Sequence, residues 1–66
     1  MNSDIIDEIL KEKLLDIEEA ISEGEDLEDV VEDVLSQVRS FLEKMYPGNV
    51  DDLMDIFEKR LEEEIS

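Results

Sequence analysis

The chain has 66 residues, with 22 Asp and Glu against six Lys and Arg, giving a net charge of −16 with no His and no Cys. Disulfides and thiolate metal sites are excluded, no apolar run approaches the ~18 residues of a membrane span, and direct binding to nucleic acid or an anionic lipid surface is disfavoured because both need concentrated positive charge. A single domain over residues 1–66 is expected, with a thin core, because a chain of about 60 residues buries only about 60% of the surface it exposes when unfolded.

High charge with few aromatics is also the composition of disordered chains, but the apolar pattern argues against disorder. In the first segment Ile6, Leu10, Leu14, Ile17 and Ile21 fall on one helical line with Ile9 and Ala20 beside it, which predicts a helix over about residues 4–22. Asn2, Ser3 or Asp4 can cap its start, and Gly24 supplies the left-handed residue that commonly ends a helix. A second helix is expected over about 26–46, opened by Asp26, whose carboxylate can accept bonds from free backbone amides. Its stripe is Leu27, Val30, Val31, Val34, Leu35, Val38, Phe41, Leu42, Met45 and Tyr46, and it stops at Tyr46 because the residue before Pro47 is disfavoured in helical geometry. Pro47-Gly48 is the next turn. Asn49 caps a third helix over about 50–65, with Val50, Leu53, Met54, Phe57, Leu61 and Ile65 on one face.

Connections this short join antiparallel neighbours, so the predicted fold is all-α, a small antiparallel three-helix bundle of up-down-up topology. The end of the first helix, the start of the second and the end of the third then share one pole. Residues 14–35 and 58–66 hold 14 acids against Lys59 and Arg60, a net charge of −12, and the rest of the chain holds −4. Acids at a helix start, such as Asp26, Glu28 and Asp29, are stabilised by the helix dipole. Glu18, Glu19 and Glu23 at the end of the first helix, and Glu62, Glu63 and Glu64 at the end of the third, face its unfavourable sign. Six misplaced acids in one region point to a use beyond solubility.

On the second helix Glu25, Asp29 and Glu32 run along the centre of the outer face, with Asp26 and Asp33 on one flank and Glu28 on the other. Such a rigid carboxylate array has a spacing comparable with that of phosphates on a nucleic-acid strand. In size, charge and lack of catalytic residues the chain resembles, as a class, the small acidic inhibitors that bacteriophages and mobile elements direct against CRISPR effectors, restriction enzymes and other DNA-binding host proteins. The resemblance implies a non-enzymatic inhibitor acting by DNA or RNA mimicry on a basic nucleic-acid-binding protein, in the host cytoplasm if phage-encoded. The expected partner-binding residues are Glu18, Glu19, Glu23, Glu25, Asp26, Glu28, Asp29, Glu32, Asp33, Glu62, Glu63, Glu64 and Leu15.

Other chemistries fit less well. Gly24-Glu25-Asp26-Leu27 is similar to the Gly-x-Asp-Ser-Leu attachment site of acyl carrier proteins but lacks the serine that carries the prosthetic arm. Glu23 to Asp33 lacks the ligand alternation and turn glycine of a calcium loop, and a carboxylate-bridged diiron site needs His. No cofactor, metal or enzymatic activity is expected. Met45, Met54, Phe41 and Phe57 are read as packing residues. Leu15 and Ile56 each sit about 120° from the centre of their stripes, so at least one should be exposed and open to a partner. An exposed apolar contact also suits an alternative reading, a dimerising helical adaptor or antitoxin-like protein that neutralises a basic partner without mimicry. Monomer and homodimer both remain open, since charge repulsion favours the first and the thin core the second.

Overall fold

A computed structural model describes residues 2–65. These residues form α1 (Asn2–Ser22), α2 (Leu27–Met45) and α3 (Val50–Ile65), with no strand among them. Every helix pair is in contact, and the up-down-up bundle measures 36 × 19 × 15 Å. Its long axis matches the ~31 Å length of a 21-residue helix.

Two short turns set the topology. At the end of α1, Gly24 has φ +94°, its N–H donates to Ile21 O at 3.0 Å, and the Glu25 N–H donates to Ala20 O at 3.1 Å. This pair of bonds is a Schellman motif, which satisfies carbonyls the helix leaves open. Ser22 Oγ donates to Glu19 O at 2.7 Å, which also accepts from Glu23 N–H at 3.1 Å. Asp26 is the N-cap of α2 and not its first helical residue, and its side chain makes no capping bond; only its carbonyl participates, accepting from Val30 N–H at 3.0 Å. The far end of α2 is Met45, with Tyr46 in the cap position. There Asn49 N–H donates to Tyr46 O at 3.0 Å, closing a turn around Pro47-Gly48, and Asn49 O accepts the first bond of α3 from Leu53 N–H at 3.0 Å. Helix α1 is already formed at Asn2, so Asp4 lies in its first turn and does not cap it. The side chains of Asn2 and Ser3 lie outside the described part of the structure.

The core comes from all three stripes. Ile6, Leu10 and Ile17 of α1 meet Val30, Val34, Val38 and Leu42 of α2 and Leu53, Met54, Phe57 and Leu61 of α3. Ile6, Leu42 and Phe57 are fully buried, and no polar or charged side chain among the described residues is buried with them. The expectation that Phe41 and Met45 pack inside is not met, for they are 44% and 58% exposed, and Leu27 and Ile65 keep 40% and 38%. The reason is geometric. Phe41 and Leu35 sit on opposite edges of the α2 stripe, roughly 120° apart at 3.6 residues per turn, and two neighbouring helices cover its middle better than its edges and ends. Of the two residues predicted to stand away from the core, Leu15 is 67% exposed and Ile56 is half-buried against the cluster.

Candidate functional site

The acidic pole is assembled around the first turns of α2. The Schellman turn brings the end of α1 directly to them. Across the molecule, Leu27, Glu28, Val31 and Glu32 share an open groove with Glu62 and Ile65, which places the last turns of α3 alongside. The juxtaposition expected from topology therefore holds on both sides of α2.

Every predicted acid of this surface is exposed: Glu18, Glu19 and Glu23 near the end of α1, Glu25, Asp26, Glu28, Asp29, Glu32 and Asp33 on and before α2, and Glu62, Glu63 and Glu64 on α3. Val30 and Val34, on the opposite side of α2, are buried, so the α2 array faces outward because its apolar face is held by the core. Neither α1 nor α3 has a basic residue in its last turn, and the dipole of each disfavours the acids there.

The ion pairs decide how much of this charge is already neutralised. Lys59 pairs with Asp55 at 3.6 Å, one turn back along α3, and Arg60 pairs with Asp7 near the start of α1. The two cations within the acidic region thus engage carboxylates outside it. Arg39 pairs with Asp51 at 3.7 Å, bridging α2 and α3 near the other end. Lys13 contacts Asp16 at 3.8 Å and donates to Gln37 Oε1 at 3.1 Å. Among the described residues the six acids from Glu25 to Asp33 take part in no ion pair. They are also dispersed along the helix, and no group of three or more acids among the described residues is placed to hold one metal ion.

The groove beside the array was missed by reading the sequence. Its floor comes from Leu27, Val31 and Leu35, an i, i+4, i+8 line along one edge of the α2 stripe, together with Ile65 of α3. The signal available was the width of that stripe, which exceeds what one helix pair can cover. A second apolar recess, of about 140 Å³, lies between α1 and α2 and is lined by Ile9, Val38 and Phe41 with Glu12, Lys13 and Gln37. No helix among the described residues is long and apolar enough to cross a membrane. No protein-family model, curated protein or solved structure matches the chain.

Proposed function

We propose that this chain is a non-enzymatic inhibitor that occupies the nucleic-acid-binding surface of a basic protein, presenting carboxylates where that protein receives phosphates. A CRISPR or restriction component in the cytoplasm of a phage's host is the target class this reading favours. The observation that carries it is the set of six exposed carboxylates from Glu25 to Asp33 that form no ion pair among the described residues. Glu25 and Asp26 precede α2 instead of continuing its outer face, and the four helical acids Glu28, Asp29, Glu32 and Asp33 occupy about 7.5 Å of helix axis at 1.5 Å per residue. Over the same length a DNA duplex carries about four phosphates, one per ~1.7 Å, so the charge density matches what a Lys- and Arg-lined cleft binds. Acids drawn from α1 and α3 widen the array beyond one helix.

The alternative, a dimerising adaptor, is favoured by one feature, the exposed apolar pair Phe41 and Met45 beside the Ile9 recess. It differs in mechanism because an adaptor leaves the nucleic-acid cleft open. The test begins with capture of basic proteins from a host lysate and elution by increasing salt, followed by competition between this chain and labelled nucleic acid on each captured protein. Replacing Glu25, Asp29 and Glu32 with Lys should abolish competition. Replacing Glu8, Glu43 and Asp52, exposed acids in no ion pair outside the acidic region, changes net charge equally and should matter far less. Simultaneous binding of nucleic acid and this chain would rule out mimicry, and equal losses from the two triple reversals would show that only total charge counts.

A further inference from the structure

We propose that the groove between α2 and α3 seats a basic amphipathic helix of the partner protein, with its apolar side chains on the groove floor and its Lys and Arg on both banks. This inference rests on the reading of the acidic surface as a docking face for a basic protein, and it names the element that docks.

Three features of the groove select that occupant. The first is its length and shape. Leu27, Val31 and Leu35 form a straight apolar line of about 12 Å at 1.5 Å per residue. An approaching helix that presents apolar residues at i, i+3 or i+4 and i+7 spans about 10.5 Å on the same rise, the pattern of helix-in-groove recognition. Two antiparallel helices with a third behind them leave a slot of the kind that a fourth helix fills in a bundle. The second feature is charge. Glu28 and Glu32 stand on the α2 bank, and Glu58 and Glu62 on the α3 bank, so an apolar ridge that enters must be flanked by cations on both sides. The acidic banks repel a second copy of this chain, whose net charge is −16, and repel an anionic lipid surface in the same way. The third feature is the taper. The half near Leu27 and Ile65 has a volume of about 350 Å³ and the half near Leu35 and Leu61 about 70 Å³. An apolar cavity of about 150 Å³ holds a benzene-sized group, so the wide half has room for a Leu, Met or Phe side chain.

The experiment uses the whole chain and two fluorescein-labelled 18-residue peptides of identical Leu and Lys composition. One places all Leu on a single helical face, and the other scrambles them around the helix. Anisotropy titrations at 0.15 M and 0.5 M NaCl read affinity, and ¹H–¹⁵N shift mapping reads location. The amphipathic peptide should bind about tenfold or more tightly than the scrambled one at 0.15 M, since two partly exposed apolar side chains become buried, and its advantage should grow at 0.5 M as the electrostatic part is screened. Its shifts should centre on Leu27, Val31, Leu35 and Ile65. The double variant Leu27→Ser, Ile65→Ser, checked for unchanged helicity, should bind the amphipathic peptide no better than the scrambled one and the scrambled peptide as before. Equal binding of the two peptides, or shifts centred on Ile9, Phe41 and Met45, overturns the groove assignment and leaves the acidic-surface reading intact. Failure of both peptides to bind at 0.15 M overturns the two together.

Discussion

Reversing Glu19, Glu63 and Glu64 to Lys should make the free protein more stable while weakening its binding to a basic partner. All three are exposed, belong to the last turn of α1 or α3, and have no ion-pair partner among the described residues. A charge in the last turn interacts with the helix dipole by about 0.3–1 kcal/mol, unfavourably for an acid and favourably for a cation. Each reversal recovers the first and adds the second, and solvent exposure holds it to the low end, about 0.6 kcal/mol. The triple variant therefore gains about 2 kcal/mol, against a total stability of roughly 3–10 kcal/mol for a domain of this length. At 4–8 °C per kcal/mol that is a rise in Tm of about 8–16 °C. Thermal unfolding followed by circular dichroism at 222 nm in 20 mM and 1 M NaCl measures it. Most of the gain should disappear at high salt, where the Debye length falls to about 3 Å, and the parent protein should itself melt higher there. Glu and Lys have similar helix propensities, so a gain independent of salt would refute the electrostatic account, as would no gain at 20 mM.

Phe57→Ala should remove about 3–5 kcal/mol, because Phe57 is fully buried; urea unfolding should show most of the stability gone, and a loss below about 1 kcal/mol would mean that the bundle repacks around the site. Gly24→Ala should cost about 1–2 kcal/mol through its positive φ, whereas Gly48→Ala, with no positive φ and nothing within 4 Å of an added Cβ, should be neutral or stabilising by up to about 1 kcal/mol. Sedimentation at low and high salt should show any self-association only when the acids are screened, and a dimer that persists at 20 mM NaCl would favour the adaptor reading.

What the sequence made legible was local. Apolar spacing located all three helices, Gly24 marked a Schellman turn, and Pro47 ended α2 within a residue. Side-chain roles at the boundaries were harder, because Asp26 can occupy the cap position while its carboxylate stays in water. The acidic region followed from topology alone, since short turns dictate which helix ends meet. That the six acids from Glu25 to Asp33 keep no ion pair among the described residues did not, because Arg60 reaches Asp7 across 53 positions of sequence and Lys59 could equally have turned toward the pole. Phe41, Met45, Leu27 and Ile65 belong to the apolar stripes yet stand exposed, because periodicity reports which face is apolar but not how much of that face the neighbours cover. The α2/α3 groove depends on the gap between two helices, a distance that neither helix encodes by itself.

The absence of any buried polar or charged side chain among the described residues bears on how such a surface could change over generations. No hydrogen bond inside the core ties an outward residue to the packing, so an acid can be moved, lost or replaced without leaving an orphaned partner behind, a change that ordinarily costs about 1–3 kcal/mol. Away from the helix ends, exposed substitutions of this kind mostly shift stability by less than about 0.5 kcal/mol. Selection on the charge pattern and selection on foldability then act on nearly separate sets of positions, and descendants of one scaffold can come to fit differently shaped clefts without passing through a poorly folded ancestor.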